Sequence, residues 1–196
     1  MIEMRIKQRV TAAAVAAMAF TLLASTQVTS IASADEPSGE FTIGGRILEA
    51  YKATGGEAKW GEATGDERPA LGGRFQTFEK DNTHFYWKAS VTAGIAHPVG
   101  GAIFTKYGTL QWERGVLKYP TSDPIGIPDK GVKQFFQGGN VYSGTTTKTF
   151  TVWGGILNKY AAAKGPTGKL GMPVSNEYRV GRNYAQNFQN GVLVFP

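Results

Sequence analysis

Short apolar segments of two kinds alternate along the chain. The first kind, Ile-Leu-x-x-Tyr followed by alanines at 156–163, suits a helix of two or three turns that Gly165-Pro166 would stop. The second kind is a pair of apolar runs separated by Gln-Gly-Gly at 137–139 or Gln-Asn-Gly at 189–191. Because Gly-Gly and Asn-Gly accept the positive φ angles of tight turns, these runs predict β-hairpins.

The helical segment occurs three times, and its tyrosines lie 56 residues apart (51 to 107) and then 53 apart (107 to 160). Residues of three types keep their place in every copy: Tyr51, Tyr107 and Tyr160; Gly45, Gly101 and Gly154; Ile47, Ile103 and Ile156. A recurring period of this length is typical of repeat architectures. The sequence therefore predicts three copies of one unit.

A glycine- and proline-containing turn and a hairpin follow each helical segment. "LGMPVSNE" from Leu170 aligns with "LKYPTSDP" from Leu117, and more loosely with "WGEATGDE" from Trp60. The predicted hairpins are "FEKDNTHFYW" from Phe78, "FQGGNVYS" from Phe136 and "FQNGVLVF" from Phe188. Each unit is thus a short helix, a Gly/Pro turn and a β-hairpin.

We expect an α+β, β-rich fold with units at about 41–96, 97–149 and 150–196. No unit can bury its apolar face alone, so the three should pack as one pseudo-symmetric, propeller-like repeat domain. Ring closure is one arrangement that the sequence allows, because the start, 41–43, and the end, 192–194, read as matching half-units. A linear stack is the alternative.

The first 34 residues have the pattern of a signal peptide. Three basic residues precede an alanine-rich apolar run at 10–24, and "ASA" at 32–34 is a cleavage pattern. The apolar run is shorter than the ~20 residues that a membrane span requires. We expect export, cleavage after Ala34, and a short linker at 35–40.

Composition narrows the classes of function. Removing residues 1–34 lowers the net charge from +6 to +4, because that segment holds three basic residues and one glutamate. A mild positive charge favours attraction to anionic envelope polymers or simple solubility, and no basic cluster indicates nucleic acid. The chain has no cysteine, which excludes disulfides, a thiol nucleophile and thiolate metal sites.

With these motifs in place, the chain resembles the LGFP repeat family, named for a Leu-Gly-Phe-Pro motif. The resemblance covers nearly everything after the signal peptide. It is fullest at 170–173, where Met172 replaces the phenylalanine. At 117–120 Lys118 departs from glycine, and in the first unit only Gly61 remains.

The resemblance implies a secreted, repeat-built module of mycolic-acid-containing actinobacteria. Such modules are often appended to mycolyltransferases, amidases or esterases, and look like attachments to the cell wall, above all to arabinogalactan. This chain shows no catalytic domain beside its repeats, so a free-standing wall-binding or regulatory protein is the natural expectation.

The residues predict no enzyme, metal site or cofactor. Of the two histidines, His84 reads as a solvated surface group, and His97 as a packing residue because its counterparts are Phe41 and Phe150. Nothing in the sequence predicts the contact that a Ser-His-Asp triad needs. Asp66, Asp123 and Asn176 are repeat counterparts, and since an amide cannot be a general acid, turn capping is their expected role, with a contact to a bound hydroxyl possible.

Aromatic residues are the remaining candidates for ligand contact, because an aromatic face can stack on a sugar ring. Trp112, in the polar segment "TLQWERG", has no aromatic counterpart in the other units, and Trp153 stands where they have Gly44 and Gly100. The full set of ligand-binding candidates is Trp87, Trp112, Trp153, Tyr142, Asp66, Asp123, Asn176 and Arg114. Core packing is the alternative for the hairpin aromatics.

Three functions follow as hypotheses. The leading one is a non-catalytic protein of the envelope that binds arabinogalactan in grooves between units. The second is a protein-interaction adaptor that recruits or regulates an envelope enzyme such as a mycolyltransferase. The third, an unrecognised hydrolase, rests only on the presence of acids and serines.

Overall fold

A computed structural model describes residues 34–196, so the predicted signal peptide lies outside the described residues apart from Ala34. The described part is β-rich and contains four α-helices and several antiparallel sheets. The helices are α1 Gly45–Ala53, α2 Gly56–Trp60, α3 Gly101–Thr109 and α4 Gly154–Ala162. Among these residues, no helix has the length and apolar character needed to cross a bilayer.

Within residues 34–196, thirteen strands form four separate antiparallel sheets, with orders β1-β2, β3-β4-β5-β6, β7-β8-β9-β10 and β11-β12-β13. Their bounds are β1 Glu36–Ser38, β2 Phe41–Ile43, β3 Arg68–Ala70, β4 Gly73–Phe78, β5 Thr83–Trp87, β6 His97–Val99, β7 Ile125–Ile127, β8 Gly131–Phe136, β9 Gly139–Gly144, β10 Thr149–Trp153, β11 Tyr178–Val180, β12 Asn183–Phe188 and β13 Gly191–Phe195.

The predicted helices and hairpins are all present. The tight turns join β8 to β9 and β12 to β13, where Phe136 pairs with Gly139 and Phe188 with Gly191. The first hairpin is longer, because a 3-10 turn at Lys80–Asn82 separates β4 from β5. Each helix carrying a repeat tyrosine begins at a repeat glycine, and Gly45, Gly101 and Gly154 have φ angles of 50°, 54° and 54°.

The ring-closed arrangement is wrong. The strands at 41–43 and 191–195 do not meet, because β2 pairs with β1 and β13 pairs with β12. The described sheets therefore do not close into a ring. The expected linker at 35–40 contains β1, and the Ser38 hydroxyl accepts a hydrogen bond from the Ala63 amide at 2.9 Å.

Each repeat tyrosine fastens its helix to the following turn. The hydroxyls of Tyr51, Tyr107 and Tyr160 donate to the carbonyls of Gly61, Lys118 and Gly171 at 2.9, 2.5 and 2.6 Å. The three tyrosines are buried, one in each of three hydrophobic clusters. One contact thus fixes both the helix and the second residue of the Leu-Gly-x-Pro turn.

A buried glutamine joins three segments at each of three places. The Nε2 groups of Gln76, Gln134 and Gln186 each donate to two backbone carbonyls, and all three side chains are fully buried. One acceptor lies on the strand before the helix (Thr42, Pro98 or Thr151), and the other lies in the loop after the turn (Gly65, Ser122 or Ser175). The hairpin, the loop and the leading strand are thereby held together.

Replacing Gln134 with methionine should destabilise the protein strongly, although the side-chain volume is nearly kept. The carbonyls of Pro98 and Ser122 would lose their donor inside the protein. Leaving two buried carbonyls unsatisfied should cost about 2–4 kcal/mol. Urea denaturation measures the change, with the neighbouring Lys133→Met as control. If Gln134→Met loses no more unfolding free energy than Lys133→Met, Gln134 does not hold the three segments together.

Lys118 occupies a glycine position of the turn. Its φ of 56° matches the 75° of Gly61 and the 69° of Gly171. A left-handed conformation costs a non-glycine residue about 1–2 kcal/mol, partly offset by the greater unfolded-state entropy of glycine.

Lys118→Gly should therefore stabilise the protein by about 0.5–1 kcal/mol, and Gly171→Ala should destabilise it. Thermal and urea unfolding of the two variants would check both signs. If Lys118→Gly lowers the midpoint of thermal or urea unfolding, the backbone strain assigned to Lys118 is absent.

Candidate functional site

A groove rich in aromatic side chains lies between strands β4 and β5 and the C-terminal end of α3. Its cavity volume is about 350 Å³, and its lining includes Phe75, His84, Phe104 and Trp112, with arginines at positions 68 and 114. We call it the aromatic groove. It combines apolar ring surface with the fixed positive charge of two guanidinium groups.

Ring stacking fixes the geometry of the groove. His84 stacks on Phe104 with centroids 3.9 Å apart and an interplanar angle of 11°, and Phe75 stacks on the His84 ring at 5.9 Å. Burial lowers the pKa of His84 below its ordinary value of 6.5, although the Asn82 carbonyl within hydrogen-bond distance of Nδ1 acts in the opposite direction. The expectation that His84 is a solvated surface group is therefore wrong.

Trp112 forms one end of the groove and is 44% exposed. Its ring lies 6.4 Å from that of Phe104, and a side chain at Gly108 would approach it to 3.2 Å. Its φ of 49° is left-handed, as are those of Gly56 and Gly165, the residues five positions after the other repeat tyrosines. A bulky aromatic thus occupies a site where the other copies have glycine.

Neutral hydroxyls and one buried carboxylate lie behind the aromatic rings. Glu113 is buried, and its Oε1 accepts a hydrogen bond from the Leu71 amide at 3.3 Å. Burial, reinforced by the charge of Glu113, raises the pKa of Tyr86 far above its usual range and that of Tyr119 to about 12. These two tyrosines therefore stay protonated under physiological conditions.

A larger cavity of about 530 Å³ lies beside the N-terminus of α3. Its lining includes Lys59, Asp81, Asp123 and Ser143, together with the fully buried Thr83. The Thr83 hydroxyl has no hydrogen-bond partner among the described residues. The cavity is mixed in charge and also has apolar lining residues such as Trp60, Ile103 and Val132, which suits hydroxyl-bearing ligands better than a simple anion.

A hydrogen-bonded line that the sequence did not predict connects Thr92, His97 and Asp123. Nδ1 of His97 lies 2.7 Å from Oδ1 of Asp123, and Nε2 lies 3.2 Å from the Thr92 hydroxyl. His97 is buried, as a packing residue would be, but it also links two polar groups. The order resembles a nucleophile–base–acid arrangement. However, the single Thr92 proton is also directed to the Ile95 carbonyl at 3.0 Å.

The structure does not bring the remaining candidates together. Trp87 donates to the Gly94 carbonyl at 2.8 Å, and Trp153 packs against the second hydrophobic cluster. Tyr142 is buried in the third cluster, as its hairpin alternation allowed. Asp66 is exposed, and the exposed Asn176 accepts from Lys106 at 2.9 Å.

The side chains of Asp123 and Asn176 do not cap their turns in the structure. Asp123 binds His97 and Asn176 binds Lys106, whereas the preceding serines, Ser122 and Ser175, bond within the turns. No group of three His, Asp or Glu side chains that could hold a metal occurs within residues 34–196.

Comparison with known protein families identifies the family to which the chain belongs. The LGFP repeat model matches residues 61–115 and 117–168, together more than half of the chain. The chain belongs to the LGFP repeat family. Each matched segment begins at a turn, 20 residues after the predicted unit starts (61 against 41, 117 against 97). A search of curated proteins finds no match to this LGFP chain.

The aromatic groove lies entirely within the first matched LGFP segment. The second segment does not reproduce it. By alignment on the buried glutamines and repeat tyrosines, the counterparts of Phe75, His84, Phe104 and Trp112 are Lys133, Asn140, Leu157 and Gly165. The aromatic residues therefore exceed what the repeat itself needs for folding.

The pH dependence of stability should reveal the partial burial of His84. Because its pKa is lower in the folded protein than the unfolded value near 6.5, the stabilisation is complete above that pH. It should decrease as the pH falls below 6.5 towards the folded pKa.

Urea unfolding at pH 7.5 and 5.0 should show this loss, and His84→Phe, which keeps a stacked ring, should reduce it. The readout is the difference between the unchanged protein and His84→Phe in the free energy of unfolding lost between the two pH values. The two proteins share every other titratable group. An NMR titration of His84 with a pKa at or above 6.5 would refute the burial effect.

Proposed function

We propose that this protein is a non-catalytic, exported polysaccharide-binding protein of the cell envelope, and that it attaches to arabinogalactan through the aromatic groove. The observation that carries the proposal is the exposure of Trp112 at the end of a preformed aromatic groove flanked by two arginines. Family membership supports it, because wall attachment is what the LGFP resemblance implies.

The chemistry of the groove fits a sugar chain. Aromatic faces pack against the apolar C–H faces of sugar rings, and guanidinium groups donate hydrogen bonds to hydroxyl oxygens. Trp112 and Phe104 supply ring surface, and Arg114 is largely exposed, with its Nε 3.6 Å from Oε1 of Glu113. At this distance Glu113 is a charge partner without a hydrogen bond to the guanidinium, so the guanidinium donors are not occupied by Glu113.

We further propose that the chain is built of three tandem, pseudo-symmetric units. The three tyrosine contacts and the three buried glutamines support this interpretation, since each recurs with the same hydrogen-bond pattern at similar intervals along the chain. With open sheets, a linear succession of units fits better than a closed ring. The aromatic groove and the cavity beside α3 both lie where the first predicted unit meets the second.

A non-catalytic role also requires that the Thr92–His97–Asp123 line be structural. The line supports a structural role because it joins a loop of the first predicted unit to a turn of the second. The Ile95 carbonyl also competes with His97 for the Thr92 proton. Incubation with wall glycans and esters tests this directly. Turnover that disappears in His97→Phe, a residue found at both repeat counterparts, would overturn the proposal.

Trp112→Ala should weaken binding to purified arabinogalactan by about tenfold, because one stacked aromatic ring contributes roughly 1–1.5 kcal/mol. Titration calorimetry or a pull-down measures the loss. Tyr178→Ala is a matched control, because Tyr178 is also exposed but lies on β11, outside the groove.

Equal losses in both variants would exclude the groove as the binding site. Failure of the unchanged protein to bind any wall glycan would refute the proposed function. Capture of envelope proteins without glycan would favour the adaptor.

A further inference from the structure

The outer edge of strand β13 is open, whereas the equivalent edges of two other sheets are covered. Strand β5 pairs with β6 and strand β9 pairs with β10, so each of those sheets has a fourth strand. Strand β13 pairs only with β12 among the described strands. Within residues 34–196 the third sheet therefore has three strands, where each of the other two has four.

The buried glutamines fix which residues correspond. Gln76 pairs with Phe85, Gln134 with Val141 and Gln186 with Leu193. One residue further along, Tyr86, Tyr142 and Val194 are therefore equivalent. Tyr86 faces His97 on β6, and Tyr142 faces Phe150 on β10.

Exposure shows what a further strand and the helix after it would cover, because Tyr86 packs on Tyr107 of α3 and Tyr142 packs on Tyr160 of α4. Tyr86 and Tyr142 are 4% and 3% exposed, whereas Val194 is 42% exposed. Val192 and Phe195 on the same strand are also exposed. Burial of such side chains is the main favourable term in strand association, so this edge is incomplete by comparison with its own counterparts.

The composition of β13 is unusual for a free edge. Exposed edges are normally short or carry charges, proline or other features that prevent pairing. The outer strands β3, β7 and β11 follow this rule, with three residues each and the sequences RPA, IGI and YRV. Strand β13 has five residues, GVLVF, and no charge. Lys159 Nζ donates to the Val194 carbonyl at 2.7 Å, the one side-chain bond to this strand found among the described residues.

The covered edges also show what kind of segment fits. Strands β6 and β10 lead directly into α3 and α4 through a glycine with positive φ, with the sequences HPVGG and FTVWG. Strand β2 has the same form, FTIGG, and leads into α1 through Gly45. Its partner β1 sits in the corresponding place, because Ser38 faces Phe41 as Tyr86 faces His97.

We propose that β13 of one molecule accepts β2 of a second copy of this chain, with β1 released from that place. Strand β1 is a weak competitor: it has three residues, one of them Pro37, and its Glu36–Lys52 ion pair is exposed. The proposal rests on the tandem-unit part of the proposed function, and does not involve the aromatic groove.

The contact joins unlike surfaces, so it does not close on itself. A head-to-tail contact between β13 and β2 leaves a free β13 at one end and a free β2 at the other. Such heterologous contacts generate open chains of molecules unless their rotation closes a ring. Association should therefore increase with protein concentration beyond the dimer.

Cysteine cross-linking tests the proposed register, because the chain has no cysteine of its own. Val194→Cys and Phe41→Cys variants, carrying tags of different size, are mixed and oxidised. The expected result is a mixed disulfide dimer, since Val194 should face Phe41 as Tyr142 faces Phe150. Val116→Cys, which places a cysteine at another exposed valine, replaces Val194→Cys in the control.

Two outcomes would overturn the proposal. Mixed dimers no more abundant than in the Val116→Cys control would exclude this register. Val194→Cys dimers with themselves, in the absence of mixed dimers, would show symmetric β13–β13 pairing instead. Circular dichroism of Phe41→Cys confirms that the variant is folded before the comparison.

Sedimentation velocity gives a second readout that needs no substitution at Phe41. The unchanged protein should show a sedimentation coefficient that rises with concentration, and Val194→Lys should abolish the rise while leaving the affinity of a single groove for a short oligosaccharide unchanged. A monomer at every concentration would refute the proposed association. Glycan binding by Trp112→Ala tests only the aromatic groove, and sedimentation tests only the association through β13. Either proposal can therefore fail without the other.

Discussion

The amide of a buried glutamine, used three times, is the interaction on which the rest of the structure depends. Each Nε2 group has two hydrogens, and each hydrogen is donated to a carbonyl of a different segment. Short strands, nine-residue helices and irregular loops have little capacity to hold one another by regular hydrogen bonding. The glutamine supplies that link from within a hairpin, and the neighbouring phenylalanine of the Gln-x-Phe pattern packs in the core. Removing such a buried donor costs more stability than the hydrogen bond itself contributes, because the acceptor is left unsatisfied. Substitutions at these glutamines should therefore be poorly tolerated.

Because the framework is held by a few fixed contacts, the residues between them are free to differ. The tyrosine, the glutamine and the glycine that starts the helix repeat, whereas the residue five positions after the tyrosine is Gly56, Trp112 or Gly165. Trp112 accepts an unfavourable backbone conformation at a place where glycine would avoid it. Its glycine counterparts show that folding does not require a tryptophan at this position, which agrees with the ligand contact that we propose for it.

The sequence predicted the parts of this protein better than their arrangement. Tyrosine spacing and the Gln-Asn-Gly and Gln-Gly-Gly turns located the helices and hairpins, because those signals are local. Ring closure was wrong, since whether β2 meets β13 depends on accumulated twist between units, and β1 lies in a segment that read as linker. The glutamine contacts were missed although the Gln-x-Phe pattern recurs at 76–78, 134–136 and 186–188. A polar residue in the middle of an apolar strand was the available signal.

The candidate site shows the same limit. Trp112 was singled out because it lacks an aromatic counterpart, and Arg114 as a nearby cation that could pair with anionic wall groups. The structure places both on one groove. His84 and Phe75 also lack aromatic counterparts, but a single hairpin does not reveal that their rings stack against α3. The contact between His97 and Asp123 spans 26 residues and depends on how one predicted unit meets the next. Spacing within a unit carries no information about such a contact.

The groove and the open edge together suggest how a weak binding site could serve attachment to a wall polymer. A groove of about 350 Å³ holds only a small part of a polysaccharide, so a single contact of this size gives modest affinity. Strand β13 contributes no residue to the aromatic groove, and head-to-tail association through it would leave each groove available. Copies joined in this way would present several grooves to one repeating glycan, and each bound groove would raise the effective concentration of the next. Attachment would then depend on the number of molecules assembled, rather than on a tight fit at any one of them.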